Sequence, residues 1–383
     1  MSDGARLLPT AAEIPAQGVL LHVGVHKTGT TALQAALADA RPELSALSVT
    51  YPGKKQAHHT AALAVVGRTW GWKDNGGDVT PISRYEKLVG QVKASGGRTI
   101  VSSEFFCEAD AATAARVVSD LGGDRVKVVV TLRNLGKLLP SSWQQYLKYG
   151  VSMPYDTWLT RIFETTEPGK VTPSFWQRND HGAVIKRWSD AVGAENVTVM
   201  VLEGVDHEAN FVGFAQMLGV PPEILVSRMN LTSNRSMTAA EAEFLRQLNA
   251  KVRKEMTWDD YLKYVRNGFA RVMVEEREPA ADEPRLHTPD WALEAAAERG
   301  NLAADSIAAS GVTVLGDLAG LRARASSPPA YDGPIVIPTD IAVSAAMSMI
   351  RTAETPATPK ERARGLASRL RRSTRRASSG KKA

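Results

Sequence analysis

Cysteine is almost absent: Cys107 is the only one in 383 residues. An internal disulfide is therefore excluded, nothing indicates an oxidising compartment, and a reduced cytoplasm is the expected location. No Cys/His cluster has the spacing of a zinc site, so no metal is expected. Long apolar runs are missing as well. The nearest, residues 334–350, contains Pro338 and Asp340 and is too short and polar to span a bilayer, which leaves an amphipathic helix packed on the body. The opening Met1-Ser2-Asp3-Gly4-Ala5-Arg6 lacks the charged segment and apolar core of a secretory signal. What is present is ordinary for a globular chain: 43% hydrophobic residues, enough for one large α/β domain or two smaller ones.

A net charge of +6 and a pI near 9.3 suggest a nucleic-acid or anionic-surface partner when taken alone. The distribution alters that inference. Residues 360–383 hold ten Lys/Arg against one Glu, a net of +9, which leaves the rest of the chain at −3. The body is not basic, and nucleic acid is not the expected partner. The tail, with few apolar residues to bury, reads either as a disordered solvated segment or as an electrostatic contact to an anionic membrane or polymer, peripheral to the membrane.

The most informative segment is Gly24-Val25-His26-Lys27-Thr28-Gly29-Thr30-Thr31, which follows the apolar run 18–23 and opens the helical pattern Ala32-Leu33-Gln34-Ala35-Ala36-Leu37. A strand, tight loop and helix start turn backbone N–H groups toward one point at the positive end of a helix dipole, a site for phosphate or sulfate. In the nucleoside-triphosphate loop GxxxxGK[ST] the lysine follows the last glycine. Here Lys27 precedes Gly29 and two threonines close the loop.

That order resembles the 5′-phosphosulfate loop of the sulfotransferases that use 3′-phosphoadenosine 5′-phosphosulfate (PAPS). The resemblance implies that Lys27 contacts the 5′-phosphate and the leaving oxygen, and that Thr28, Gly29, Thr30 and Thr31 hold the phosphate. A second segment strengthens it: the strand 126–132 ends in Arg133, with Ser141 eight positions on in Pro140-Ser141-Ser142-Trp143. In the family an arginine and a serine there hold the donor's 3′-phosphate, the arginine through its planar fork and the serine through a hydroxyl at a helix start. The strand end offers a cation where a kinase would need a carboxylate for magnesium, in keeping with metal-free sulfuryl transfer.

Between these segments, Arg98-Thr99-Ile100-Val101-Ser102-Ser103-Glu104 is an apolar strand ending in a carboxylate. It should deliver Glu104 to the sheet edge that carries the loop, where it is the favoured general base. His58-His59 is the competing base, and the cytosolic family members carry a histidine after the corresponding strand. His22 reads as a packed polar side chain and His26 as a spacer. Residues 42–80, with Trp70-Gly71-Trp72, read as an acceptor-side insertion over the phosphate site. The late Arg-Lys-Gly segment of cytosolic members is absent; Asn234, Arg235 or Ser236 stand as replacements, with a Thr238/Glu241 capping box as the plainer reading.

The resemblance covers residues 17–220 and more loosely extends to 322. It implies an α/β fold of the P-loop type, three layers with a central, mostly parallel sheet flanked by helices, plus a helical C-terminal extension. The expected organisation is a disordered 1–16, a sulfotransferase domain over 17–322 whose portion 255–322 is mainly helical, a linker and packed helix over 323–359, and the basic disordered tail. The implied reaction moves a sulfuryl group from PAPS to a hydroxylated acceptor: a carbohydrate, glycolipid or small metabolite. A P-loop kinase or NTPase and a non-catalytic nucleotide-binding protein are the alternatives.

Overall fold

The computed structural model describes residues 8–167, 171–172, 174–229, 235–331 and 333–354. Six strands form the central sheet: β1 (Val19–His22), β2 (Val49–Thr50), β5 (Arg98–Ser102), β6 (Val126–Leu132), β7 (Val197–Val201) and β8 (Thr313–Leu315), in the order β2-β5-β1-β6-β7-β8. All five pairings are parallel. The short β3 (Thr69–Trp70) and β4 (Asp78–Val79) make a separate antiparallel hairpin.

Strands rich in Val, Leu and Ile suit a parallel sheet because both faces are covered by helices. Alternate residues feed two cores. Val19, Leu21, Val101, Val128 and Val130 face one core together with α3 (His59–Val66), α4 (Ser83–Lys93), α5 (Ala111–Leu121) and the helix His181–Val192. Leu20, Ile100, Val129 and Met200 face the other, with α1 (Thr30–Asp39), α2 (Arg41–Ala46) and the helix His207–Leu218. This is the three-layer α/β architecture. A third core, rich in aromatics, joins α6 (Leu135–Leu147) to the helical C-terminal part.

Two expectations are corrected. Residues 42–80 are not an insertion: Val49 and Thr50 are the edge strand β2, paired with Arg98 and Thr99, and the apolar run 61–65 packs into the main core. The glycines and histidines of this stretch masked that short apolar run. Of the expected disordered 1–16, residues 8–16 are packed, with Ala11 and Ile14 buried and the Ile14 amide donating to Met217 O at 2.9 Å. The segment 255–275 is helical, yet Tyr261–Phe269 is a π-helix rather than an α-helix. The basic tail lies outside the described residues.

The chain crosses from β5 to β6 over β1, so β1 lies at the point where the winding reverses. Ligands in open α/β sheets bind at the carboxyl ends of strands there. Three segments meet at that edge: the loop after β1, Ser103-Glu104 after β5, and Arg133-Asn134 after β6.

Candidate active site

The loop after β1 is shaped by two glycines and one strained residue. Gly24 has φ of 31°, and a Cβ there would stand 2.6 Å from His22 Nε2. Gly29, at φ 77°, is the left-handed residue that opens α1. Between them Lys27 also lies in the left-handed region at φ 69°, a conformation a non-glycine residue adopts at a cost and most often at functional sites. Among the described residues, no acceptor takes the amide N–H groups of Lys27, Gly29, Thr30 and Thr31. Four unsatisfied donors at a helix N-terminus are a ready cradle for an anion's oxygens.

Lys27 donates to Gln145 Oε1 at 3.0 Å. Burial pushes its pKa down to about 8, with Lys148, Arg266 and Arg178 acting in the same direction and Glu104 opposing them. A lysine held so near neutrality is restored to full charge by an arriving anion.

Thr28 does not face the cavity. Its hydroxyl donates to Val25 O at 2.9 Å, and a directed chain follows from that bond. Thr28 Oγ1 then accepts from the Thr131 hydroxyl at 2.7 Å, Thr131 accepts from His22 Nε2 at 3.3 Å, and His22 Nδ1 accepts from Ser102 at 2.8 Å. Gln34 closes the chain by donating to both Ser102 Oγ and Glu104 Oε2, at 3.2 and 3.1 Å. His22 is thereby fixed as a neutral, fully buried tautomer, and burial lowers its pKa to about 4. The chain fastens the β1 loop to the ends of β5 and β6.

Glu104 begins the short helical turn Glu104–Glu108, capped by Ser103. Burial alone would raise its pKa, but His59, His26, a backbone amide and Gln34 outweigh that and hold it below the usual carboxylate range. His59 is 3.6 Å from Glu104 Oε2, and its Nδ1 lies 2.9 Å from Ser103 Oγ. The two histidines of the pair separate by role. His58 Nδ1 accepts from the Ser102 amide, so its Nε2 donates to Pro52 O, and the buried ring is held neutral with a pKa of about 4. His59 is half-exposed in the cavity.

Lys27, Gly29, Thr30, Thr31, His26, His59 and Glu104 line one cavity of about 1430 Å³. The volume exceeds what one small ligand needs and suits two substrates side by side. The β3–β4 hairpin supplies Trp70, Asp78 and Val79 to its wall, and the C-terminal part supplies Trp258, Leu262 and Arg266. Trp72 turns inward, buried against Trp258 and Tyr261.

Arg133 and Ser141 lie outside that cavity. Arg133 is 3.5 Å from Lys27 O and 3.6 Å from Glu203 Oε1, which puts its guanidinium beside the loop, half-exposed. Glu203 also accepts from the Asn134 amide at 3.0 Å and pairs with Lys137. Ser141 is not at a helix start. The helix α6 begins at Leu135 because Asn134 caps it, runs through Pro140, and the Ser141 hydroxyl bonds back to Leu138 O at 3.0 Å. Arg235 forms a two-pronged ion pair with Glu241 inside the C-terminal part, and Thr238 with Glu241 makes the capping box. Asn234 lies outside the described residues.

A buried cluster supports the loop from below, and the sequence offered no sign of it. Glu108, almost fully buried, meets Arg178 at 2.6 Å and Arg68 at 2.9 Å, with His26 Nε2 at 3.7 Å. Although burial opposes ionisation, Arg178, His26 and Arg68 hold its pKa down to about 2. Burial in turn keeps His26 neutral, with a pKa of about 4. These residues come from four separate segments, so no spacing rule could have joined them.

The chain is similar to a solved structure, the crystal structure of a sulfotransferase from Alicyclobacillus acidocaldarius, matched over 63% of this chain and 98% of that one, at 18% identity and a TM-score of 0.41. No family model and no curated protein sequence matches the chain. Among the described residues no group of His, Cys, Asp and Glu comes together as a metal site, and no helix is long and apolar enough to cross a membrane.

Proposed function

We propose that the chain is a PAPS-dependent sulfotransferase acting on a hydroxylated acceptor. The observation that carries the proposal is the left-handed Lys27 in a loop with four free amides, set between Glu104 on one side and Arg133 on the other. The free amides and Lys27 fit the donor's 5′-phosphosulfate. The guanidinium of Arg133, held loosely by Glu203 and half-exposed, fits its 3′-phosphate, with Ser141 as a further hydroxyl once it releases Leu138 O.

In the reaction, an acceptor hydroxyl oxygen attacks sulfur in line with the bond to the 5′-phosphate. That S–O bond breaks as the new one forms, and the electron pair leaves with adenosine 3′,5′-bisphosphate. Lys27 and the loop amides offset the charge that develops on the leaving oxygen. The hydroxyl proton passes to Glu104, which is ionised and shares the cavity with the loop. His59, within reach of Glu104 and Ser103, is placed to orient the carboxylate. No step calls on a metal.

Calorimetry with adenosine 3′,5′-bisphosphate and with ATP, without metal, tests the donor. Tight binding of the bisphosphate, weak binding of ATP, and loss of the difference in Arg133→Ala are expected; equal affinity of the wild type for both ligands sinks the proposal. Glu104→Ala should lower turnover by roughly 10²–10⁴-fold, and a variant that keeps most of its activity would transfer the role of base to His59.

A further inference from the structure

Arg266 is a guanidinium in the cavity wall without a counter-charge among the described residues. It is carried by the π-helix Tyr261–Phe269, a conformation that is rare and tends to mark functional sites. Two aromatic faces frame it, Tyr149 at 4.5 Å and Trp70 at 5.2 Å from the guanidinium carbon. Trp70 is itself held edge-on by Phe105, Tyr149 and Trp258. Nη1 is shut off from solvent and has no hydrogen-bond partner.

Among the described residues no carboxylate pairs with Arg266, although Asp78, Glu104 and Asp259 line the same cavity. Other arginines of this protein are answered at once: Arg178, Arg235, Arg246 and Arg277 each meet a carboxylate at 2.6–2.8 Å. Aromatic faces orient a guanidinium but leave its in-plane N–H donors unsatisfied, and a buried unsatisfied donor is costly. Arg266 lines the cavity, and an incoming carboxylate or sulfate fits the edge of the guanidinium presented there.

We propose that Arg266, framed by Trp70 and Tyr149, recognises an anionic group on the acceptor, a carboxylate or sulfate set apart from the reacting hydroxyl. The acceptor is then an acidic hydroxylated molecule, and the face of Trp70 gives its sugar or aromatic ring a place to rest. The assignment to an acceptor rests on the sulfotransferase reading. The anion assigned to Arg266 is not the donor's, because Lys27, the loop amides and Arg133 already answer the donor's phosphosulfate and 3′-phosphate from the sheet edge. Arg266 belongs to a wall built from the C-terminal helices, the β3–β4 hairpin and Tyr149.

The test uses p-nitrophenyl β-D-glucuronide and p-nitrophenyl β-D-glucoside, which differ in one carboxylate. Each is titrated into the full chain saturated with adenosine 3′,5′-bisphosphate, so that the loop cannot take the carboxylate itself. The glucuronide should bind at least about tenfold tighter than the glucoside, as a charge-assisted pair predicts. At pH 7, where Lys27 is already charged, Arg266→Gln should abolish the preference and leave bisphosphate affinity unchanged, while Arg266→Lys should keep part of it. Equal binding of the two glycosides to the wild type overturns the proposal, as does a preference that survives in Arg266→Gln. A loss of bisphosphate affinity in a variant that melts like the wild type assigns Arg266 to the donor and overturns it as well. If the bisphosphate itself does not bind, the sulfotransferase reading fails, and the same glycoside pair titrated without nucleotide still decides whether Arg266 reads an anion.

Discussion

Lys27 stood out in the sequence as the proposed anion ligand because its place before Gly29 is a local property of eight residues. Its titration did not, since that depends first on burial and then on Lys148, Arg266 and Arg178, all more than a hundred positions away. With a pKa of about 8, Lys27 is charged below that pH and loses its proton above it. A bound anion favours the charged form, so affinity for adenosine 3′,5′-bisphosphate should fall as pH rises past 8. The fall approaches about tenfold per pH unit between the free and bound pKa values. Titrations at several pH values check this, and Lys27→Arg, which cannot deprotonate in this range, should flatten the profile. A wild-type affinity that does not change between pH 7 and 10 contradicts the account. Thr28 and Ser141 illustrate the opposite limit: sequence places them in the donor site, but only coordinates show their hydroxyls bonded to Val25 O and Leu138 O.

At the scale of elements, the strands that carry the site were legible because a buried parallel strand is a short unbroken apolar run, as in Val126–Leu132. β2 escaped because two residues carry no period, and its membership of the sheet comes from pairing with β5. The Glu104–Glu108 turn was read only at its first residue. Its last, Glu108, ties the turn to Arg68, next to β3, and to Arg178, in the helix Phe175–Asn179. Replacing Glu108 with Gln would leave Arg178 buried without its counter-charge, and the loss of stability should be about 3–5 kcal/mol. Urea unfolding measures it, and a change under about 1 kcal/mol would show that the cluster adds little. That the helical segment after residue 255 contains a π-helix was not legible, because Trp258, Tyr261, Tyr264 and Val265 fit any helical repeat equally well over so short a span.

For the whole molecule, four of seven histidines, His22, His26, His58 and His181, are buried or nearly so, with pKa values of about 4. Unfolded, they titrate at the usual value of about 6.5. Their folded pKa is the lower one, so the unfolded chain binds more protons between pH 6.5 and 4. Stability is complete above that window and falls as pH drops through it, by up to about 1.4 kcal/mol per histidine per pH unit. Melting temperature should therefore drop steeply from pH 6.5 to 4.5, and a flat profile would mean these rings are more accessible than their packing indicates. The sequence by itself determined the parallel α/β sheet, the strand–loop–helix around Lys27 and the order of Lys27, Glu104 and Arg133 along the chain, because each is encoded in a run of a few adjacent residues. Tertiary structure alone decided which hydroxyls were free, which of His58 and His59 faced the cavity, and that Arg266 entered it without a carboxylate partner among the described residues. Those outcomes depend on segments far apart in sequence meeting in space, and burial sets the charge of each group only once they have met.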